Sequence, residues 1–297
     1  MTMEASIAVV ITAYNHAHFL SAAIESVLAQ SVPASELLII DDGSNDDPAA
    51  VVAKYPQARI IRQHNQGLPA ARNRGMQETS SPLLLFLDAD DQLESKTLEI
   101  SSEMLKSCPD AAFSYGAYVL AYEGKPKVPV RFRALSGSVF SSFLLENPIG
   151  MHGTVMYRRD RLEEAGGFRH DMKACEDYEL YLRLTQKYPV ISTSQVLAQY
   201  WQHDENMSRN PVTMLHWSQI ALELHKQEAL KADLETEFNR GISNLRRAYI
   251  GIWVGDIRKN PHFRTHFRQG FQLFLQAPCI MVAEIWHRLS KRSKIVK

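Results

Sequence analysis

Short apolar runs alternate with amphipathic stretches through the first hundred residues. Apolar runs at 7–12, 37–40, 59–62 and 83–87 predict four strands, the first a buried one by its Ile and Val content. Between them, residues 19–30 place Leu20, Ile24, Val27 and Leu28 at helical spacing, and 48–55, 67–78 and 95–106 also predict helices. Pro48 suits a first helical turn, with Ser44 or Asp47 as its cap. Strand and helix alternating at this spacing predict a mostly parallel, Rossmann-like sheet flanked by helices. In such a sheet ligands sit beyond the carboxyl ends of the strands. The acids fall there: Asp41 and Asp42 after the second strand, Asp88, Asp90 and Asp91 after the fourth.

Beyond residue 110 the pattern is mixed. Residues 112–121, 154–157 and 190–201 read as extended and 177–187 as a helix. From Asn210 onward the chain reads as helical, with no strand signal and no repeat. The expected division is an α/β domain over 1–208 and a helical C-terminal extension over 209–297.

Composition narrows the class. Hydrophobic residues make up 45% and charged residues 22%, which excludes a disordered or collagen-like chain. Lys+Arg and Asp+Glu both total 33, so a nucleic-acid-coating protein is not expected. Cys108, Cys175 and Cys279 lie too far apart for a zinc cluster and fit a reducing compartment. No basic stretch precedes the first apolar run, and no window approaches the roughly 18 apolar residues of a membrane helix, so cytoplasmic location is expected. The even balance hides an asymmetry: residues 256–297 carry nine Lys/Arg against Asp256 and Glu284. With Phe271, Phe274, Ile285 and Trp286 among them, the tail reads either as a helix on the anionic cytoplasmic face of a membrane or as one packed on the body.

Asp88-Ala89-Asp90 places two carboxylates one residue apart on a turn, where they can share a hard cation such as Mg²⁺ or Mn²⁺. The turn does not stand alone. Val9-Val10-Ile11-Thr12-Ala13-Tyr14-Asn15, Ile39-Ile40-Asp41-Asp42-Gly43-Ser44, Asn65-Gln66-Gly67 through Ala71-Arg72-Asn73-Arg74-Gly75, and Phe86-Leu87-Asp88-Ala89-Asp90-Asp91 follow in order. Together they resemble the family 2 glycosyltransferases, inverting enzymes of GT-A fold. The match covers about 7–100, extends to about 205, and leaves the C-terminal third uncovered.

The resemblance implies an α/β GT-A fold and transfer of a sugar from a nucleotide-diphosphate sugar, with UDP the expected nucleotide. The acceptor would be a hydroxyl of a glycan or lipid-linked molecule, in cell-envelope polysaccharide synthesis. Thr12, Ala13, Tyr14 and Asn15 would line the base and Asp42 would accept from its ring N–H. Gly67, Arg72, Asp88 and Ala89 would complete the nucleotide site, Arg72 near base or diphosphate. Asp90, Asp88 and His203 would hold Mn²⁺ or Mg²⁺, His203 lying in Tyr200-Trp201-Gln202-His203. Cys175-Glu176-Asp177-Tyr178, at a helix start, resembles the family's acidic pair: Asp177 would be the general base and Glu176 would help bind acceptor. Read without that resemblance, an acidic pair there is a helix cap. His152, in a Gly-flanked turn, would contact donor or acceptor or merely shape the turn; His16, His18 and His64 carry no expected role.

Competing classes lack their marks. No G-x-G-x-x-G follows the first strand and no G-x-x-x-x-G-K-[ST] is present, which removes dinucleotide oxidoreductases and P-loop NTPases. The basic glycine loop of sugar nucleotidyltransferases is missing. A non-catalytic sugar-nucleotide-binding or membrane-scaffold protein of this fold is the remaining alternative, and the presence of Asp177 argues against it.

Overall fold

The computed structural model describes residues 6–133, 135, 139–204, 206–259, 270, 272 and 273. The chain divides into two compact units: Met1–Phe143 with Asn147–His203, and Leu144–Glu146 with Asp204–Lys297.

The first unit begins with β1 (Ile7–Ala13), α1 (Ala17–Leu28), β2 (Glu36–Asp41), α2 (Pro48–Val52), β3 (Arg59–Arg62), α3 (Leu68–Gln77) and β4 (Leu83–Asp88). It continues with β5 (Gln92–Leu93), α4 (Thr97–Ser107), β6 (Phe113–Tyr122), β7 (Lys125–Pro129) and α5 (Val139–Leu145), which runs into the second unit. It closes with β8 (Met156–Arg158), α6 (Arg159–Glu164), α7 (Glu176–Thr185) and β9 (Ile191–Trp201). The strands form one sheet in the order β3-β2-β1-β4-β8-β6-β9-β5, with β7 paired to β6 off this path.

The expected parallel ladder is present in β3-β2-β1-β4, where every residue of β1 is buried. Strands covered on both faces need apolar side chains in both directions, which is why they read as unbroken aliphatic runs. On one face Ile7, Val9 and Ile11 pack with Leu20, Ile24 and Val27 of α1 and with Leu83, Leu85 and Leu87. On the other, Gly75 of α3 lies over β1: a Cβ there would come within 2.3 Å of Val10 Cγ1. Beyond β4 the sheet departs from the parallel pattern. β8 runs antiparallel to β4 and β6, β5 to β9 and β7 to β6, while β6 and β9 are parallel. The register brings strand ends level: Thr12 lies opposite both Ile40 and Asp88. The turns leaving β1, β2 and β4 therefore share one edge.

The second unit contains α8 (Pro211–Glu223), α9 (Lys226–Lys231) and α10 (Glu235–Lys259). Asn210 caps α8, its side chain accepting from Val212 and Thr213 N–H, both at 3.2 Å. Gly241 of α10 lies where a Cβ would meet the Leu144 carbonyl, which accounts for glycine inside a helix. Among the described residues no helix is long and apolar enough to cross a membrane. The basic tail lies outside the described residues, save the end of α10 and residues 270, 272 and 273.

Candidate active site

Each turn on the shared edge is fixed by its own side chains. Asn15, at φ +56°, donates its N–H to Ser44 Oγ and accepts from Asn45 N–H, at 3.0 and 2.8 Å. This ties the end of β1 to the turn after β2, while Asp46 accepts from Ala17 N–H at 2.7 Å at the start of α1. Asp42 is buried, and its carboxylate accepts from Gln63 Nε2, Gln66 N and Gly67 N at 2.7, 3.0 and 2.8 Å. Asp42 thus organises the loop leading into α3. Tyr14 stands 46% exposed at the same edge, a ring free to take a flat partner. Ala89 N–H donates to the Thr12 carbonyl at 3.1 Å, joining the β1 and β4 turns.

The acidic turn is divided between two sets of partners. Asp88 accepts from Thr12 Oγ1 at 3.1 Å and from Arg72 Nη2 at 2.9 Å. Asp90 Oδ2 lies 2.8 Å from His203 Nε2. His16, Asp90 and His203 each present a ligand-capable atom, all within 4.8 Å of one another. Burial raises the Asp90 pKa, and Asp88 adds to the rise, while His203 and His16 oppose it. Asp91, fully enclosed, accepts from Trp201 N–H at 3.0 Å and so fastens the end of β9, just before His203, to the acidic turn.

Arg72 joins this turn to α7. The family resemblance implied a place for it beside base or diphosphate. In the structure its terminal nitrogens are taken by carboxylates, Nη1 by Glu176 at 2.6 Å and Nη2 by Asp88 at 2.9 Å, and its guanidinium lies 5.6 Å from the Phe168 ring centroid. A buried guanidinium has to be paired, and these acids do so. Burial opposes its charge, but Asp88, Glu176 and Asp177 hold its pKa above the ordinary arginine value. Burial pushes the Glu176 carboxyl up to about 7 against the pull of Arg72, with Asp177 adding to the rise.

Asp177 therefore opens into the same cluster as Asp88. Its side chain keeps 24% of its surface exposed, and its Oδ1 accepts from Tyr178 N–H at 2.7 Å. Burial and the nearby Asp88 raise its pKa, with Arg72 opposing. Cys175, at φ +58°, makes the turn into α7, and its side chain makes no capping bond to the helix. The approach to α7 is pinned by Asn73, which donates to the Phe168 carbonyl at 2.7 Å and accepts from its N–H at 2.8 Å. Gly167, at φ +70°, permits that approach, since a Cβ would sit 2.4 Å from Asn73 Oδ1.

A family model described as Glycosyl transferase family 2 matches residues 8–166, more than half of the chain. The chain belongs to glycosyl transferase family 2. An uncharacterized glycosyltransferase of Rickettsia felis is 31% identical over 191 residues, covering 62% of this chain and 31% of that protein. This family 2 chain spans under a third of the length of the Rickettsia relatives it matches. Among solved structures, Staphylococcus aureus TarS 1–349 superposes with TM-score 0.62 at 15% identity, covering 96% of this chain and 92% of that one. Its complex with UDP-GlcNAc gives 0.54 at 17%. A Pyrobaculum calidifontis mannosyltransferase in complex with GDP-Man and Mn²⁺ gives 0.62 at 15%, covering 96% and 88%. The fold is the GT-A fold of these enzymes.

Two residues of this candidate site escaped the sequence reading. His16 was given no role, although it follows Tyr14-Asn15 at the end of β1 and β1 neighbours β4, a register that could have flagged it. Asn73 carries no chemistry of its own, and nothing in the sequence signals its grip on Phe168. Conversely Asp88, expected at nucleotide and metal, stands outside the His16, Asp90, His203 group.

Proposed function

We propose that the chain is an inverting glycosyltransferase taking a nucleotide-diphosphate sugar, with UDP the favoured nucleotide, to a hydroxyl of a glycan or lipid-linked acceptor in envelope polysaccharide synthesis. The observation that carries this is the Arg72 bridge between Asp88 and Glu176, which gathers the acidic turn and the Asp177 carboxylate in one cluster. The UDP-GlcNAc and GDP-Man complexes of TarS and the Pyrobaculum enzyme support a nucleotide-sugar donor.

The edge formed by Tyr14, Asn15 and the Asp42-anchored loop receives the nucleotide. Asp177 takes the proton from the acceptor hydroxyl. The freed oxygen attacks the anomeric carbon from the face opposite the diphosphate, a carbon–oxygen bond forms, and the bond to phosphate breaks with its electron pair leaving on the nucleoside diphosphate. One displacement inverts the anomeric centre and needs no covalent enzyme intermediate. His16, Asp90 and His203 fit a divalent cation in number and spacing, and two imidazoles with one carboxylate suit Mn²⁺ better than Mg²⁺. Such an ion supplies positive charge for the diphosphate oxygens.

The test is incubation with a panel of nucleotide sugars and acceptors, reading nucleoside diphosphate release and the anomeric configuration of the product by proton NMR. Inversion with stoichiometric nucleotide release is the expected result; retention of configuration would overturn this mechanism.

A further inference from the structure

We propose that His152 is a positioning residue for Asp177, donating from Nδ1 to the carboxylate and holding it toward the acceptor. The inference rests on Asp177 as the base and adds a residue that the reading above leaves unused.

His152 lies in the short 3₁₀ turn His152–Thr154, between α5 and β8, and is buried. Four rings wall it: Phe86 of β4, Tyr157 of β8, Phe168 and Tyr181 of α7, with centroids 5.5 to 6.2 Å away. Its Nε2 lies 3.4 Å from the Tyr157 hydroxyl. Its Nδ1 is buried and has no hydrogen-bond partner among the described residues, yet it faces Asp177 Oδ2 at 4.0 Å. A buried polar nitrogen left unpaired calls for an explanation in what the site does when occupied.

The titratable groups around the ring decide its proton. They are Tyr157 of β8, Tyr181 and Asp177 of α7, and the Arg72 cation of α3. Burial, with Arg72 adding to it, keeps the imidazole neutral. A neutral imidazole has one N–H and one lone pair. If Tyr157 O–H donates to Nε2, the ring proton resides on Nδ1 and points at Asp177. A small rotation of the Asp177 side chain, as an acceptor hydroxyl enters, closes 4.0 Å to hydrogen-bond distance. The bond favours ionised Asp177 and leaves Oδ1, which accepts from Tyr178 N–H with one lone pair, its other lone pair for the acceptor proton. His152 is not the proton's destination, because a second cation beside Arg72 in this aromatic enclosure is disfavoured.

The experiment compares His152→Phe, which keeps a ring without the N–H, and His152→Asn, which places an amide near the Nδ1 position. Expected for His152→Phe are a fall in kcat of about tenfold or more, an unchanged KM for donor, and an acid limb of kcat/KM moved up by about half a pH unit. His152→Asn should recover part of both changes. An acid limb that stays put in both variants, with activity falling only as the melting temperature falls, overturns the positioning role. Asp177→Asn run alongside separates the failures: if it is inactive while the limb is unmoved, the base stands and His152 has only a packing role. If Asp177→Asn turns over like the parent, the base assignment falls and this inference with it.

Discussion

Replacing Asp177 with asparagine should lower kcat by about 10²–10⁴-fold, the usual loss when a general base is removed, while nucleotide binding is retained. The two side chains match in shape, so the Oδ1 contact to Tyr178 N–H survives and only proton-accepting capacity is lost. The parent's pH profile follows from the same group. Burial and Asp88 raise the Asp177 pKa above 3.8, the ordinary aspartate value. The base works when ionised, so kcat/KM should fall as pH is lowered through that raised pKa, and the acid limb should lie above 3.8. Rapid-quench assays from pH 4 upward, about the ordinary aspartate value, read both quantities. A variant that keeps parental turnover would remove Asp177 from the chemistry.

Arg72→Met should cost roughly 3–5 kcal/mol of folding stability, because removing one partner of a buried pair strands the other. Glu176 is buried against the guanidinium at 2.6 Å, and the methionine offers nothing in return. The penalty has a direction in pH. In the parent the Glu176 carboxyl is held up to about 7 by burial even with Arg72 opposing. Without Arg72 its pKa rises further. Both folded chains keep the proton below about 7; above it the parent releases the proton and the variant does not. The difference in stability should therefore widen as pH is raised beyond that point. Urea unfolding of the two proteins on either side of neutrality checks this, and a variant of equal stability at every pH would show that the bridge holds nothing. Turnover should fall too, since Asp88 and Glu176 are no longer drawn together.

How far the sequence speaks depends on what each residue's neighbours are. β1, β2 and β4 were readable because strands buried on both faces leave a nearly unbroken aliphatic signature, β3 because its Ile-Ile pair stands between two arginines, and the ends of all four fall within a residue of the expected ones. β7, Lys-Pro-Lys-Val-Pro, is exposed throughout and carries no apolar signal, and β5 is two residues long. Neither could be seen. α6 is a charged turn, Arg-Asp-Arg-Leu-Glu-Glu, with only Leu162 buried. The antiparallel half of the sheet depends on returns of chain that periodicity does not encode.

The same division runs through the site. Motif residues were legible as a set, yet their partners were not. Arg72 meets Glu176 across 104 positions and Asp90 meets His203 across 113, distances over which local pattern carries no information. The buried guanidinium explains why Arg72 faces acids of the chain itself. The level strand ends explain how His16 comes beside Asp90.

The proposed mechanism divides the labour: His16, Asp90 and His203 serve cation and diphosphate, and Asp177 serves the acceptor proton. Titrating Mn²⁺ into the UDP-saturated protein, followed by electron paramagnetic resonance, tests it directly. Asp90→Ala should weaken Mn²⁺ binding at least about tenfold, removing the one carboxylate of the His16, Asp90, His203 group, whereas Asp177→Asn should bind Mn²⁺ as the parent does. Parental binding by Asp90→Ala, or loss of binding in Asp177→Asn, would contradict it.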